Sequence, residues 1–250
     1  MKEGYEIVYK RPETLLKTRM HYCPGCFHAT VHKLVSEVIE EMEIQSRIIG
    51  VCPVGCSVFA YDYIDIDWQE AAHGRAAAVA TAVKRIHPDK FVFSYQGDGD
   101  LAAIGTAETL HAANRGENFT FIFINNRIYG MTGGQMAPTT LLGDKTTTSP
   151  YGREAKGAGN PLRMCEMVSQ LDGVVYAERV SCNNPANVRK TKKAIRKAFE
   201  LQNRGLGTSF VEVVSNCPSG WKCTPEHSLK KVAEESFPYF PLGVFKEPAE

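Results

Sequence analysis

The sequence predicts an α/β protein built on a doubly wound parallel sheet. Short apolar runs of strand length alternate along the chain with longer segments of helical periodicity, which is the pattern of repeated βαβ units. Polar and glycine-rich turns follow the apolar runs directly, as at Gly97 to Asp100. The 250 residues suit one domain of this class, and neither internal repeats nor low-complexity linkers divide them.

Each element is predicted from its local pattern. Helix 27–43 places apolar residues at three- and four-residue steps, and helix 70–86 is rich in alanine. Further helices are predicted at 100–115, 161–171 and 185–202. The strands are predicted at 47–51, 91–96, 119–124, 174–177 and 208–215.

The remaining segments suggest how the chain is organised. Residues 1–22 are predicted to form an irregular N-terminal arm, residues 23–222 the α/β domain, and residues 223–250 a C-terminal extension. Residues 130–160 are rich in Gly, Thr and Pro, and a loop of this length is usually functional or disordered. The tail from Phe237 contains several prolines, and we expect it to run extended over this chain or a neighbour.

Charge and hydropathy exclude several classes of protein. The net charge of +1 shows no excess of basic residues of the kind that binds nucleic acid. The longest apolar runs, such as 119–124, fall far short of the ~20 residues that a membrane helix needs. Residues 1–5 lack the apolar core of a signal peptide. These features predict a cytoplasmic protein that binds neither nucleic acid nor membrane.

The chain contains eight cysteines, many for such a protein. Reducing compartments disfavour structural disulfides, so a cysteine set there more often binds metal or takes part in redox chemistry. Secretion with disulfides is the alternative, and no signal segment supports it.

Two oxygen-bearing side chains follow neighbouring strands of one predicted βαβ unit. Asp98 lies in Gly97-Asp98-Gly99-Asp100 after strand 91–96, and Asn126 follows strand 119–124, at a spacing of 126 − 98 = 28 residues. The carboxyl ends of parallel strands share one edge of the sheet. Carboxylate and amide oxygens suit Mg²⁺, and backbone N–H groups at a glycine-rich helix start suit phosphate.

This arrangement resembles the thiamine diphosphate (ThDP) motif, in which GDG is followed by NN. The resemblance implies that Asp98 and the Asn126 side chain bind Mg²⁺ together with the backbone carbonyl of Ile128. For Asp100 a helix-capping role is favoured over metal binding, because Asp is common at helix starts. The following residues are expected to contact the diphosphate; they are Tyr129, Gly130, Met131 and Thr132. A plain mobile loop is the alternative for them.

Cysteines also occur at three strand ends or helix starts. Cys23 and Cys26 form a CxxC before helix 27–43, Cys52 and Cys56 follow strand 47–51, and Cys217 follows strand 208–215. Four thiolates converging at the edge that carries Asp98 would hold either a 4Fe–4S cluster or a zinc ion.

The order of motifs over residues 20–222 resembles the β subunit of the 2-oxoacid:ferredoxin oxidoreductases. The motifs are CPGC, VGCS, HGR, GDGD, NN with YGMTGGQ, and NCPSGW. The resemblance implies a ThDP-binding fold in which one 4Fe–4S cluster is held by Cys23, Cys26, Cys56 and Cys217. Cys52 is the rival ligand and Cys223 a weaker one, whereas Cys165 and Cys182 are interpreted as small buried side chains.

The same resemblance places His73 and Arg75 of the HGR segment at the cofactor. There they would meet the substrate carboxylate or the diphosphate. The alternative for His73 is a hydrogen-bonded structural histidine.

The implied reaction is oxidative decarboxylation of a 2-oxoacid with coenzyme A (CoA), with electrons passed through the cluster to ferredoxin. The implied partners are a catalytic α subunit with the pyrimidine-binding domain and ferredoxin-like small subunits. The run Ser57-Val58-Phe59-Ala60-Tyr61 is largely apolar, which disfavours a distal carboxylate and favours 3-methyl-2-oxobutanoate.

Several alternatives remain open at this point. The substrate could be 2-oxoglutarate or pyruvate. The chain could belong to a non-redox ThDP decarboxylase or synthase, or be a zinc-stabilised scaffold without catalysis. The basic residues of 189–197 most simply form a solvated helix face, and a docking site for acidic ferredoxin is the other interpretation.

Overall fold

A computed structural model describes residues 6–248 of the chain. Its core is a seven-stranded sheet in the order β2-β1-β3-β4-β8-β7-β9. The strands are β1 (Ile48–Cys52), β2 (Asp67–Glu70), β3 (Phe91–Gly97), β4 (Thr120–Asn125), β7 (Val174–Ser181), β8 (Thr208–Val214) and β9 (Gly243–Lys246). A separate hairpin pairs β5 (Ile128–Tyr129) with β6 (Gln135–Met136). Adjacent strands of the large sheet are parallel except β7 and β9.

Helices cover both faces of this sheet. They are α1 (Phe27–Glu41), α2 (Ala76–Ile86), α3 (Thr106–Asn114), the single irregular turn α4 (Ala155–Ala158), α5 (Met164–Ser169), α6 (Pro185–Asn203), α7 (Pro225–Lys231) and α8 (Phe237–Tyr239). One apolar core joins α1 and α6 to the sheet, and a second joins α2, α3 and α5 to its other face. The predicted doubly wound α/β fold is therefore confirmed.

The sequences of the central strands are continuous apolar runs because both faces of these strands are buried. Every residue of β4 and of β8 is buried, because helices pack on both faces of a parallel sheet. The amphipathic α1 shows the opposite pattern and buries one stripe, which includes Val31, Val35 and Val38. None of the helices within residues 6–248 is long and apolar enough to cross a membrane.

Two helix predictions were wrong at their starts. The helix predicted from residue 70 begins at Ala76, because β2 ends at Glu70 and Gly74 adopts a φ of +77° in the intervening turn. The helix predicted from residue 100 is split into a π turn at Asp100–Ile104 and α3. Gly105 makes this break, since a Cβ there would lie 2.5 Å from the Asp100 carbonyl oxygen.

The chain ends differ partly from expectation. The predicted arm includes residues 1–5, which lie outside the described residues, while Leu15 forms an isolated bridge to Ile64. The extension begins with α7 and a π turn. The tail from Phe237, which was expected to run extended, first forms the short α8 and then β9, which pairs antiparallel with β7 of this chain. The domain boundaries at residues 22 and 222 stay a prediction.

The long segment 130–160 is folded around one arginine. The guanidinium of the buried Arg153 donates hydrogen bonds to several carbonyl groups of the same segment. They belong to Ala137, Pro138, Thr140, Ala158, Gly159 and Asn160. Since the donor and its acceptors are within one segment, the loop holds its own shape next to the strand ends.

Candidate functional site

The site lies at the carboxyl edge of the parallel sheet. Four adjacent strands, β1, β3, β4 and β8, end there, and they lead respectively to Cys56, Asp98, Asn126 and Cys217. Ligands of α/β sheets usually bind outside this edge. The topology thus brings together residues that are far apart in sequence.

Asp98 is a buried carboxylate held by hydrogen-bond donors. One oxygen, Oδ1, accepts from the Gly99 N–H at 2.9 Å, and Oδ2 accepts from the Thr139 hydroxyl at 3.0 Å. Burial raises the pKa of Asp98 to about 7. Within the described part of the chain, no lysine, arginine or histidine forms an ion pair with it. A buried carboxylate in such surroundings suits a metal cation.

Asn126 meets Asp98 at a single backbone amide. The Ile128 N–H lies 3.2 Å from Asn126 Oδ1 and also 3.2 Å from Asp98 Oδ2. The intervening Arg127 has a φ of +65°, a left-handed conformation that closes the turn. The two side-chain oxygens predicted to bind Mg²⁺ therefore converge, and their donor set fits that ion.

A cavity of about 290 Å³ opens beside these oxygens, and we call it the cofactor cavity. All the residues predicted to bind the cofactor line it, namely Gly97, Asp98, Gly99, Asp100, Asn126, Ile128, Tyr129, Gly130, Met131 and Thr132. Other parts of the lining come from His28, Val54, Cys56 and His73. The cavity thus connects the oxygen ligands to one predicted cluster cysteine.

Glycines shape the floor of the cofactor cavity. A Cβ on Gly97 would meet nothing within 4 Å, so this position borders open space. A Cβ on Gly99 would lie 2.9 Å from the Tyr129 ring, which packs over it. The backbone at Gly97 is therefore accessible to a bound diphosphate, which fits the predicted cofactor.

Asp100 orients the HGR segment and does not cap a helix. Its Oδ1 accepts from His73 Nδ1 at 2.7 Å and from the Gly74 N–H, and its Oδ2 accepts from Gln96 Nε2 at 2.7 Å. Burial raises the pKa of Asp100. The helix-capping role predicted for Asp100 is wrong because its carboxylate is occupied by these partners. His73 is held with its ring at the cofactor cavity.

Arg75 is not brought to the cofactor cavity. Its guanidinium pairs with Glu108 at 2.7 Å and lies 3.3 Å from the Ile104 carbonyl oxygen. The side chain is about half exposed, at 47%. Of the two residues predicted to be catalytic, the structure places only His73 in the site.

The thiols of Cys23, Cys26, Cys56 and Cys217 lie together. A Cβ on Gly130 would be 2.9 Å from Cys217 Sγ and 3.8 Å from Cys56 Sγ. The other three cysteines each contribute to the electrostatic surroundings of the Cys217 thiol. Burial raises the pKa of Cys217 to about 12 and that of Cys56 to about 11. Thiols in such a place become thiolates only with an electropositive partner, such as iron.

A zinc ion and a 4Fe–4S cluster place different demands on four thiolates. A zinc ion binds each sulfur at about 2.3 Å, so its four ligands meet at one point, whereas a 4Fe–4S cluster offers each thiolate its own iron. Across residues 6–248, no group of three or more His, Cys, Asp or Glu side chains is placed to hold a single metal ion.

Asn216 joins two of the cysteine turns, and the sequence analysis missed it. Its Oδ1 accepts from the Phe27 N–H at 3.1 Å, and its Nδ2 donates to the Gly25 carbonyl at 2.9 Å and to Ser228 Oγ at 2.7 Å. The side chain thereby fixes the CPGC turn against the turn that carries Cys217. Only its place directly before that cysteine could have signalled this role.

Thr139 is a second residue that sequence reasoning missed. Its donation to Asp98 crosses 41 residues of sequence, and the residue is fully buried. The adjacent Thr140 donates to the Arg127 carbonyl, so both threonines fasten segment 130–160 to the turns that carry Asp98 and Arg127. The run Pro138-Thr139-Thr140 has no periodicity that marks such a role.

The remaining cysteines have other surroundings. Cys52 is fully buried in β1, and Cys165 is buried in α5. Cys182 Sγ donates to Thr191 Oγ1 at 3.7 Å, and Cys223 lies near Lys231 and Glu235. Cys56 lines the cofactor cavity, whereas Cys52 and Cys223 do not. The set of four cluster cysteines stays a prediction.

Comparison with known sequences gives a consistent result. Residues 53–213 match the family of thiamine pyrophosphate enzymes, C-terminal TPP-binding domain; thiamine pyrophosphate is another name for ThDP. The chain is 47% identical over 240 residues to the ketoisovalerate oxidoreductase subunit VorA of Methanothermobacter thermautotrophicus, a match that covers 96% of this chain and 50% of that relative. The chain thus spans about half the length of this relative.

Another relative is matched over a larger share of its length. The 2-oxoglutarate synthase subunit KorB of Methanocaldococcus jannaschii is 40% identical over 200 residues, which cover 79% of this chain and 69% of KorB. Among solved structures, a 2-oxoglutarate:ferredoxin oxidoreductase from Magnetococcus marinus matches with a TM-score of 0.77 and 23% identity, over 99% of this chain and 88% of that one. The structural likeness shows a shared fold.

Proposed function

The chain belongs to the ThDP-binding subunits of the 2-oxoacid:ferredoxin oxidoreductases, and from this premise we propose that it carries the diphosphate and iron–sulfur half of such an enzyme's active site. One observation carries the proposal. The lining of the cofactor cavity includes both the converging side chains of Asp98 and Asn126 and the predicted cluster cysteine Cys56. A non-redox decarboxylase needs no cysteine there.

Different residues of the chain would bind the metal ion, the diphosphate and the cluster. Asp98, Asn126 and the Ile128 carbonyl would hold Mg²⁺, and the backbone around Gly97 and Gly130 would approach the diphosphate. When bound, ThDP supplies the carbon that attacks the 2-oxo group and allows CO₂ to leave. The four cysteine thiolates would hold a 4Fe–4S cluster, which accepts electrons one at a time. His73 would present its ring to the substrate from the position that Asp100 fixes.

The active site is completed by another subunit. ThDP enzymes use a glutamate to activate the aminopyrimidine ring, and no glutamate lines the cofactor cavity within the described residues. We propose that a partner subunit supplies this glutamate together with the pyrimidine-binding domain. CoA, ferredoxin-like subunits and ferredoxin belong to the same proposal. Its support is that the relatives are named as a subunit of an oxidoreductase and a subunit of a synthase. A cytoplasmic location fits as well, since iron–sulfur ligation requires reduced thiols.

We propose a branched-chain substrate, 3-methyl-2-oxobutanoate. The support is the 47% identity to the ketoisovalerate relative and the lining of the cofactor cavity, which within residues 6–248 includes no lysine or arginine. Val54, Ile104 and Met131 contribute apolar surface instead. Of the run 57–61, which the sequence suggested as the determinant, only Ser57 lines the cavity; Val58 and Phe59 do not. A distal carboxylate would be buried there without a cation of this chain, which is costly.

Substrate preference can be measured on the complex purified anaerobically with its native subunits. We expect kcat/KM for 3-methyl-2-oxobutanoate to exceed that for 2-oxoglutarate by at least about tenfold, which corresponds to ~1.4 kcal/mol. The same preparation should contain iron, acid-labile sulfide, Mg²⁺ and ThDP. A preference for 2-oxoglutarate would show that a basic group of the partner reaches the pocket, and a colourless complex with ThDP bound would contradict the redox assignment.

The split site has its own test. The chain alone should bind its metals but show no 2-oxoacid oxidation with an artificial one-electron acceptor, whereas addition of the partner subunits should restore turnover. Robust turnover by the isolated chain would refute completion of the site by a partner.

A further inference from the structure

A second, larger cavity lies on the other side of the cysteines. It has a volume of about 920 Å³, and its lining includes Lys145, Lys222, Lys231, Arg127 and Trp221, so we call it the lysine cavity. Gly130 lines both this cavity and the cofactor cavity. The thiols therefore lie in the partition between the two cavities.

That partition is thin. Gly220 and Ser219 also line the lysine cavity. A Cβ on Gly220 would lie 2.8 Å from Cys217 Sγ, and Ser219 Oγ lies 3.0 Å from Cys23 Sγ. A protein seated in the lysine cavity would thus be one residue away from the cluster ligands. Because electron tunnelling weakens steeply with distance, this is the short route out of the site.

The lysine cavity carries an excess of positive charge. Arg127, Lys145, Lys222 and Lys231 line it against Asp144 and Glu235, a balance of 4 − 2 = +2. Both acids are already paired, since Arg127 contacts Asp144 and Glu235 at 3.2 Å each and Lys231 also contacts Glu235 at 3.2 Å. Lys145 and Lys222 are exposed, and neither makes an ion pair within residues 6–248.

Arg127 cannot itself contact a docked protein. Its side chain is fully buried with its guanidinium 4.6 Å from the centre of the Trp221 ring. The accessible positive charge of the cavity is therefore that of the exposed Lys145 and Lys222, which carboxylates of a docked protein would complement.

The other basic surface of the chain is the α6 face at 189–197, where three of the six basic residues are paired and Arg189, Lys190 and Lys193 make no ion pair within residues 6–248. On α6, Lys192 pairs with Glu37 and Glu41, Arg196 with Glu41 and Glu200, and Lys197 with Glu247. This surface is most simply the solvated helix face expected from the sequence. Of these two basic surfaces, only the lysine cavity is lined by residues that contact the thiols within residues 6–248, such as Ser219 and Gly220.

We propose that an acidic iron–sulfur carrier protein docks transiently over the lysine cavity, with Lys145 and Lys222 as its main charged contacts. The inference rests on the proposed function and adds the place where electrons leave. Conversion of one 2-oxoacid and CoA to acyl-CoA and CO₂ releases one proton and two electrons. A carrier cluster accepts one electron at a time, so each turnover reduces two carrier clusters.

The test uses charge reversal in the complete complex. The variant Lys145→Glu/Lys222→Glu is compared with Lys190→Glu/Lys193→Glu, which makes the same change in net charge on the exposed face of α6. Binding of an oxidised acidic 2[4Fe–4S] ferredoxin is measured by calorimetry at low and high salt. We expect the Kd to rise about tenfold or more in the cavity variant and less than about twofold in the control, with the gap shrinking at high salt.

Kinetics separate docking from the proposed function. The KM for ferredoxin should rise with the Kd, while reduction of benzyl viologen by the 2-oxoacid stays near wild type in both variants. The neutral variant Lys145→Gln/Lys222→Gln should show a smaller rise in Kd, which keeps the test available if charge reversal disturbs folding. Equal effects in both charge-reversed variants, or loss of a stable subunit from the complex, would overturn the docking proposal. Wild-type complex unable to reduce viologen would instead refute the proposed function.

Discussion

The oxygen ligands and the thiols occupy the same edge of the sheet but are assembled differently. Asp98 and Asn126 belong to one βαβ unit and converge on one backbone amide, that of Ile128. The thiols come from three turns, and Asn216 fixes two of these across 189 residues of sequence. The first site is thus organised locally, and the second depends on the tertiary fold.

This difference predicts that the two sites can be lost separately. A defect in the metal-binding turn should leave the cysteine turns in place, because Asn216 and Ser228 hold those from another direction. A defect in the cysteine turns should leave Asp98 in place, because Thr139 and Gly99 hold it. Four substitutions, taken from the largest expected effect to the smallest, would test whether the two sites are independent.

The substitution Asp98→Ala should reduce bound Mg²⁺ and ThDP to below about a tenth of wild type, because it removes the carboxylate predicted to bind the metal. The iron content of the complex should stay near that of wild type. Metal analysis and a ThDP assay of the purified complex measure both. Retention of ThDP at the wild-type level would exclude Asp98 from the metal shell, and simultaneous loss of iron would show that the sites are coupled.

The substitution Cys217→Ser should remove or degrade the cluster while Mg²⁺ and ThDP still bind, since a hydroxyl replaces a soft thiolate ligand. The matched control is Cys52→Ser, which should leave the cluster intact. Iron content and low-temperature EPR of the reduced proteins provide the measurement. The reverse outcome, with the cluster lost in the Cys52 variant and kept in the Cys217 variant, would mean that the ligand set is misassigned.

The substitution Asn216→Ala should weaken the cluster site without deleting a ligand. It removes hydrogen bonds to Phe27, Gly25 and Ser228, each worth about 1 kcal/mol and more where a buried partner is left unsatisfied. We expect partial iron occupancy and faster loss of iron to a chelator, with ThDP binding unchanged. Asn203→Ala, at the exposed end of α6 and before the start of β8, serves as the control. Identical chelation rates in both variants would show that Asn216 does not support the cysteine turns.

The smallest effect is expected from Thr139→Val. This substitution removes the hydroxyl that donates a hydrogen bond to Asp98 and nearly preserves the shape of the side chain. The Kd for ThDP in the presence of Mg²⁺ should rise roughly three- to tenfold, which corresponds to about 0.7–1.4 kcal/mol, the usual net contribution of one hydrogen bond. Thr109→Val is a matched control, because the Thr109 hydroxyl is buried without a hydrogen-bond partner in the described part of the chain. Equal Kd values for the two variants would contradict a positioning role for Thr139.

The same contrast explains what could be predicted from the sequence. The fold class and the Asp98/Asn126 pair follow from local patterns, because a strand end and the turn after it lie within a few residues. The cysteine set required the order of motifs along the whole chain. Thr139 and Asn216 were missed because their partners are 41 and 189 residues away, where no periodicity links them.

The errors in the predicted secondary structure have a similar physical origin. The strand β2 is short and polar, so its sequence resembles a turn; only pairing with β1 makes it a strand. Strand β7 was predicted to end at 177 but continues to Ser181, because the charge of Arg179 is matched within the protein by Glu166 and Glu212. Buried ion pairs of this kind cannot be recognised from the sequence of one strand.

The two edge strands restrict how this chain joins others. Both β2 and β9 contain four residues, and each carries charged side chains, such as Asp67 and Lys246. Short, charged edge strands are poor templates for adding a further strand. Lateral extension of the sheet into a neighbouring subunit is therefore disfavoured, and we expect the oxidoreductase to assemble through helical faces and the loop-bearing edge of the sheet. Its subunits would then meet where the cofactors lie.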